Sequence, residues 1–471
     1  MTREPASPLG DLRLSPLLTA TLPRWEQITA ELRRPGPHIA DVLRLADATG
    51  RPAVQPRCGV GGHPEMLRLL GELAATGADV LTVTVDAHTR LQQYATARRL
   101  MRDSPGDLNG YPLVAHGWRR GRELRAHVPH PLQVRHGSPD ARDLFAVSLA
   151  SGITSFEGGG IGYNLPYSKD VPLRTTLGSW QRIDAVCGAL AGDGVLIDRE
   201  LFGTLSAVLM PPSISLAITL LEAAAAAREG VRCVSPAYPQ SGEMHQDIAA
   251  LRAIRVLGRR YLGADVEVFP VLHEFMGPFP RTPQYANFLI IYGGLTARLG
   301  RASKVVSKTA QEGFGIPDAA ANAEGILNTI LGTSDLLDFI RVDEDRIAEE
   351  ESWILQEVGE LVEPLFATGD LLGGIVEAFQ TGRLDIPFSA SVHAHSDVLP
   401  ARDRGGAVRY AHLGALPFSG TTRSRHARQL SARTGATHRA TGLIEQITRD
   451  INYFLDKERT VLPATDERPQ P

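Results

Sequence analysis

The sequence predicts an α/β protein built on a (β/α)8 TIM-type barrel, with an N-terminal arm and an additional C-terminal α+β segment. Short apolar strands alternate with amphipathic helices from Val54 to Leu331, the pattern of a parallel sheet. No Gly-x-Gly-x-x-Gly follows the first strand, which favours a closed barrel over a doubly wound sheet. Charged side chains also gather at the predicted strand ends, where barrel enzymes carry their sites.

Residues 1–45 are rich in Pro and Arg, with helical patches around Trp25–Leu32, and read as a helical arm. The barrel is assigned to residues 46–340. Its first strand is Val54–Arg57, followed by a helix over Glu65–Ala75 in which Met66, Leu69, Leu70 and Leu73 share one face. Val80–Val85 precedes a helix over Ala87–Met101, and strands follow at Leu113–Ala115, Leu132–Arg135 and Ile153–Glu157. Between the last two, Ser138 as N-cap and Pro139 at the first helical position predict a helix that stops before Gly152. Further strands are expected at Leu205–Met210, Arg232–Pro236, Val266–Leu272 and Lys304–Ser307. Helices are expected over Ser215–Glu229, Gly242–Leu262, Tyr285–Leu299 and Pro317–Leu331. That makes nine candidate strands, one more than the barrel takes. Residues 341–471 read as a helical and irregular extension: a helical stretch over Asp343–Leu372, an irregular one over Thr381–Gly420, and a last helix near Thr437–Leu455.

A hydrophobic content of 43% and a charged content of 22% over 471 residues describe a soluble globular protein. The formal net charge of −4 gives no reason to expect nucleic acid as a partner. Cys58, Cys187 and Cys233 form no C-x-x-C pair, so neither a disulfide framework nor a thiolate zinc site is expected, and a reducing cytoplasm fits best. The first residues lack a signal pattern. The longest apolar run, Ala217–Ala227, contains Glu222 and is too short to cross a bilayer.

The segment Ser155–Lys169, SFEGGGIGYNLPYSK, is the most informative. Glu157 ends a strand, Gly158–Gly160 permits close backbone approach or positive φ, and Tyr163 and Tyr167 are spaced to face one cavity. At the other strand ends stand Arg57, Arg90, Asn109, Arg135, His136, Lys308 and Glu312. A guanidinium at an internal strand end needs an anion, because an unpaired buried charge is costly. Its fork also fixes a carboxylate's orientation. Three arginines and one carboxylate therefore suggest a substrate with two carboxylates and an ammonium group, the pattern of a dicarboxylic amino acid. Other candidates carry less. Asp86-Ala-His88 begins like a cobalamin-binding Asp-x-His-x-x-Gly, but Leu91 occupies the glycine position, so His88 reads as a helix-start residue. His245 and His273 have no partner histidine at ligand spacing, and no metal site is expected.

In order along the chain stand Gln-Pro-Arg-x-Gly-Val (55–60), Asp-Ala-x-Thr-Arg (86–90), Leu-Asn-Gly (108–110), Arg-His-Gly-x-Pro-Asp (135–140) and Phe-Glu-Gly-Gly-Gly-Ile (156–161). Gln-Asp-Ile-Ala-Ala-Leu-Arg (246–252), Lys-Thr-x-x-Glu-x-x-Gly-Ile-Pro (308–317) and Asp385-Ile-Pro-Phe follow. Over about residues 50 to 420 this resembles the large (epsilon) subunit of glutamate mutase, or methylaspartate mutase. The resemblance implies a (β/α)8 barrel and the adenosylcobalamin-dependent radical rearrangement of L-glutamate to L-threo-3-methylaspartate. It makes Arg57, Arg90 and Arg135 the carboxylate clamp, completed by His136, Tyr163 and Tyr167, and Glu157 the acceptor of the substrate ammonium and its base. Gly59, Asn109, Pro166, Phe279, Lys308, Glu312 and Ile316 would face the cofactor. The missing Asp-x-His-x-x-Gly implies that cobalt's lower ligand comes from a separate small cobalamin-binding (sigma) subunit, with large subunits as a homodimer inside a heterotetramer. Gly162, Phe156 and Pro239-Gln-Ser-Gly-Glu-Met-His depart from the commonest family forms. Two alternatives stand beside this one. The first is an aldolase-like barrel in which Lys308 forms a Schiff base and Gly158–Gly160 grips phosphate; the second is a barrel subunit binding an acidic amino acid without turnover.

Overall fold

The computed structural model describes residues 7–313, 317–432 and 442–461. Its strands are β1 (Ala53–Gln55), β2 (Leu81–Thr84), β3 (Leu132–Arg135), β4 (Ser155–Glu157), β5 (Asp198–Leu201), β6 (Cys233–Pro239), β7 (Glu267–Val268), β8 (Val271–His273), β9 (Lys304–Val306), β10 (Val398–Arg402) and β11 (Val408–Leu413). The first nine form one parallel sheet in the order β1-β9-β8-β6-β5-β4-β3-β2, with β7 paired to β6 below β8. β7 and β8 are two pieces of one barrel strand, interrupted at Phe269 and Pro270, because proline has no N–H to give the ladder. The seam between β1 and β2 is bridged just outside their ladders: Asp79 N–H donates to Val54 O at 2.9 Å and Thr84 N–H to Cys58 O at 2.9 Å. The result is a nearly closed eight-stranded parallel barrel, as the strand–helix rhythm predicts.

Alternation along each strand explains the layers. Val54, Val83, Val134, Phe156, Leu201 and Leu272 face outward into the main core beneath the helices. Gln55, Gln133, Ser155, Asp198, Ser235 and Lys304 hydrogen-bond across the barrel interior instead. The arm closes the bottom of the barrel, where Ile39, Ala40 and Leu43 of the helix Ile39–Thr49 pack on Val80, Cys233 and Phe269. The three cysteines are free and buried. No helix among the described residues is long and apolar enough to cross a membrane.

Two expected strands are not strands. Leu113–Ala115 opens the helix Leu113–His127, since an apolar triplet after Pro112 fits a buried helical turn equally well. Leu205–Met210 is a loop in which Leu205, Ala207 and Leu209 have φ of 34°, 69° and 51°, a left-handed alternation no strand tolerates. The strand missing from the count is β5, whose Asp-Arg-Glu-Leu sequence looks polar because Asp198 and Glu200 point into a polar interior. The helix expected from Pro139 starts at Arg142, because Ser138 and Asp140 shape the preceding loop: Ser138 N–H donates to His136 Nδ1 and Asp140 holds the Arg142 side chain. The helix expected over Ala87–Met101 is split into Ala87–Arg90 and Tyr94–Asp103, and that over Asp343–Leu372 into Glu344–Phe366 and Leu371–Gln380. The stretch expected to be irregular contains the β10–β11 hairpin. The last helix is two, Leu443–Ile451 and Tyr453–Val461, and its expected start at Thr437 lies outside the described residues.

Candidate active site

Side chains from β3, β4, β5, β8 and β9 meet inside the barrel near its C-terminal end. Arg135 ends β3 and is 3% exposed. Its Nη1 donates to Glu200 Oε1 at 2.9 Å and to Gln133 Oε1 at 3.1 Å, while Nη2 donates to Glu157 and lies 3.3 Å from His273 Nε2. Glu200 is fully enclosed: Lys304 Nζ reaches it at 2.6 Å, His273 Nε2 at 3.0 Å and Gln133 Nε2 at 2.9 Å. The Glu157, Glu200 and His273 ligand atoms lie within 4.8 Å of one another, a spacing that suits a cation. The Arg135 guanidinium is the cation among them.

This crowding separates the two carboxylates electrostatically. Burial pushes Glu157 up to about 7; Arg135 pulls it down and the nearby Glu200 charge pushes it further up. Burial also acts against ionised Glu200, yet Lys304 and Arg135 together hold it well below the usual carboxylate range. Burial lowers His273 to about 3 and His136 to about 3, so both imidazoles are neutral at pH 7. His136 Nδ1 accepts from Ser138 N–H at 2.9 Å, so the proton sits on Nε2, which donates to the Glu157 carbonyl at 2.9 Å.

The predicted site residues fall into three groups. Glu157, Arg135, His136 and Tyr163 are in direct contact; the Tyr163 hydroxyl donates to Glu157 Oε2, and the His136 ring meets Tyr163 edge-on at 4.8 Å. Arg57, Arg90 and Tyr167 rim the opening above them. The charges of Arg57, Arg135 and Arg90 all act on the Tyr167 hydroxyl, and Tyr167, 44% exposed, packs edge-on against Tyr163. The side chains of Arg57 and Arg90, both half-buried residues, make no ion pair or hydrogen bond among the described residues, and Arg57 Nε is buried without an acceptor. The third group is more dispersed. Lys308 Nζ pairs with Glu312 Oε2 at 2.5 Å, and Lys308 N–H donates to Glu274 Oε2 at 2.7 Å. Gly59 packs on the Thr84 carbonyl, where a Cβ would come within 2.3 Å, so it serves the β1–β2 seam. Asn109 is exposed and accepts from Ala87 N–H at 2.9 Å, Pro166 is half-buried, and Phe279 is packed with Phe275, Ala286, Leu289 and Ile290. Ile316 lies outside the described residues. Asp86 caps the short helix at Ala87–Arg90, so His88 is a helix-start residue as expected.

The glycine run is shaped by what lies behind it. Glu222, from the helix Pro212–Arg228, accepts from Ile161 N–H at 2.6 Å and Gly162 N–H at 2.9 Å. A Cβ on Gly159 would come within 2.3 Å of its carboxyl, and Gly158 has φ of 118°. Arg199 clasps the same turn, with Nη1 on Phe156 O at 2.7 Å and Nη2 on Gly158 O at 2.9 Å. The C-terminal extension ties down the far end of this loop: Ser389 Oγ donates to Leu165 O at 2.8 Å and Val392 N–H to Lys169 O at 3.0 Å. Gly159→Ala is therefore expected to eject Glu222 from its amides and destabilise the protein by about 2–4 kcal/mol. Urea unfolding of the variant measures this.

Sequence reasoning missed Glu200, Lys304, Gln133, Arg199, Glu222 and Glu274. The period-2 appearance of polar residues in otherwise apolar strands, Gln133/Arg135 and Ser155/Glu157, is the signal that marks the interior set; Asp198 and Glu200 share the spacing, but Arg199 between them makes that strand polar on both faces.

The family described as methylaspartate mutase E chain matches residues 36–456. A glutamate mutase epsilon subunit of Haloarcula marismortui is 40% identical, with 92% of this chain and 89% of that protein aligned. One from Halobacterium salinarum is 42% identical over 92% and 91%, and one from Escherichia coli O157:H7 is 36% identical over 84% and 83%.

Proposed function

Because this chain belongs to the methylaspartate mutase E chain family, we propose that it is the substrate-holding large subunit of an adenosylcobalamin-dependent glutamate mutase, an isomerase converting L-glutamate to L-threo-3-methylaspartate. The observation that carries this reading is the buried Arg135–Glu157 pair beneath two half-buried arginines, Arg57 and Arg90, that have no anion of their own. One substrate carboxylate meets Arg57 and Arg90, and the other takes the outer edge of Arg135. Glu157 then accepts the substrate ammonium and holds its proton, supported by the Tyr163 hydroxyl. Gripping both ends leaves one carbon in reach of the reacting centre.

The residues at the mouth fit the cofactor's adenosyl end. Thr309 Oγ1 is buried without a partner, next to the Lys308–Glu312 pair, which offers a donor and an acceptor to ribose hydroxyls. His136 and His273 are both buried and hydrogen-bonded, so neither is free to ligate cobalt, in keeping with a ligand from a sigma-type partner subunit. Adenosylcobalamin, when bound, supplies the radical that removes a substrate hydrogen. The side chains described here orient the substrate and exclude water. Residues 46–340 would form the catalytic barrel of this subunit, supported by the arm (1–45) and the extension (341–471), in a cytoplasmic heterotetramer containing two large subunits. Glu222 stands behind Gly158–Gly160 where the aldolase-like alternative needs a phosphate, which weighs against that alternative.

The test mixes this chain with a cobalamin-binding small subunit, adenosylcobalamin and L-glutamate, and follows 3-methylaspartate by proton NMR. Product is expected only when all four are present; its absence with every small subunit tried would overturn the reading.

A pH dependence follows. Glu157 must be ionised to take the substrate ammonium, so kcat/KM should rise through a limb near pH 7. Glu200→Gln removes the negative charge that raises Glu157 and leaves Lys304 and Arg135 less neutralised. Both effects lower the Glu157 pKa, so the limb should move to lower pH. A limb that stays in place would show that Glu200 does not set the charge of Glu157.

A further inference from the structure

The clamp makes no use of Asp385-Ile-Pro-Phe, whose acid is nevertheless buried at 2% exposure. We propose that Asp385 is a positioning residue: it folds a strap of the C-terminal extension that fixes Pro166 and Tyr167 at the barrel mouth. Its carboxylate gathers four backbone N–H groups: Oδ1 accepts from Ile386 and Ser396, both at 2.9 Å, and Oδ2 from Asp397 at 2.7 Å and Val398 at 3.2 Å. The two ends of segment 386–397 are thereby tied together on one charge, which closes it into a compact surface loop. Its root is anchored, since Leu384, Ile386 and Val398 belong to the main core. Within it, Phe388 and Ser396 take left-handed φ of 59° and 54°. Residues other than glycine hold that conformation where their surroundings impose it.

The tip of the strap meets the backbone of the loop that follows Glu157. Ser389 Oγ donates to Leu165 O at 2.8 Å, and Val392 N–H donates to Lys169 O at 3.0 Å. Pro166, Tyr167 and Ser168 are the residues between those two carbonyls. Inside this span the loop makes its own turn, in which Tyr167 N–H and Ser168 N–H donate to Asn164 O at 3.0 Å and 2.8 Å. The exposed Tyr167 ring has Tyr163 and Phe202 as its ring neighbours, with centroids 5.7 Å and 6.1 Å away. The backbone beneath it therefore decides where its hydroxyl points, and the strap holds that backbone on either side. That Tyr167 meets the substrate rests on the mutase reading; that the strap fixes it does not.

Hydrogen exchange followed by mass spectrometry, and calorimetric titration with L-glutamate, test this on the full chain with Asp385→Ala, Ser389→Ala and Ser389→Thr. Ser389→Ala removes one half-buried hydroxyl and keeps Asp385, so the test stands if Asp385→Ala fails to fold. In both alanine variants the peptide carrying the Tyr167 and Ser168 amides should exchange at least ~tenfold faster, with Leu132–Arg135 of β3 unchanged. Ser389→Thr keeps a hydroxyl and should match the wild type. L-Glutamate should bind at least ~fivefold more weakly to Ser389→Ala. That loss should vanish when Tyr167→Ala is already present, because residues acting through one another are not additive. Unchanged exchange at Tyr167 and Ser168, or a glutamate affinity that is equal to the wild type's or lost equally beside Tyr167→Ala, would overturn the proposal. A wild-type chain that takes no glutamate while exchange responds as expected would count against the mutase reading and support the strap.

Discussion

Glu157→Gln is expected to lower the rearrangement rate at least ~10²-fold, within the range that removal of a positioned acid–base group produces. The amide keeps the shape and can still accept from the Tyr163 hydroxyl through its oxygen. It cannot, however, take a proton from the substrate ammonium, and it brings a donor face to Arg135. Because a raised carboxyl pKa disfavours the charged form in the folded protein, the same variant should change stability with a defined sign. The stability contributed by protonated Glu157 is fully present below the ordinary carboxylate pKa and is lost as pH rises through about 7. Glu157→Gln should therefore gain on the wild type between pH 5 and 8 in thermal unfolding. A variant that retained wild-type turnover would remove Glu157 from the chemistry.

The three arginines should respond differently to substitution, and the difference discriminates between structural and substrate-binding roles. Arg135 holds Glu200 and Glu157 at once. Arg135→Met should cost about 3–5 kcal/mol of stability, because it leaves buried carboxylates uncompensated. It should also abolish measurable rearrangement. Arg57 and Arg90 have no anion in the protein itself, so Arg57→Met and Arg90→Met should leave stability unchanged or raise it. The same two variants should weaken L-glutamate binding at least ~10²-fold, the loss of a charge-assisted fork on a carboxylate. Calorimetric glutamate titration alongside thermal unfolding separates the two effects. Loss of stability in Arg57→Met with unchanged glutamate affinity would make that arginine structural.

The barrel was legible because its rhythm is carried by apolar strands and amphipathic helices, and seven of its eight strands announce themselves that way. β5 does not: Asp198, Arg199 and Glu200 are polar on both faces, Asp198 and Glu200 toward the interior network and Arg199 toward Asp184. Local composition therefore favoured the apolar Leu205–Met210, which the positive φ of alternate residues turns into a loop. The arginines and Glu157 were visible as charges at strand ends, a one-dimensional signal. The groups that set their charge were not. Lys304 and Glu200 lie 147 and 43 residues from Glu157 by their numbers, and only the closed barrel brings Lys304 to Glu200 and the Glu200 charge beside Glu157. The Gly158–Gly160 run was legible as a place of close approach, but not that the approaching group is an acid on a helix.

A crystal structure of the chain with L-glutamate bound tests the clamp most directly. One substrate carboxylate should lie on Arg57 and Arg90, the other on Arg135, and the ammonium within hydrogen-bond distance of Glu157. Glutamate bound elsewhere, or with its ammonium turned away from Glu157, would contradict the assignment.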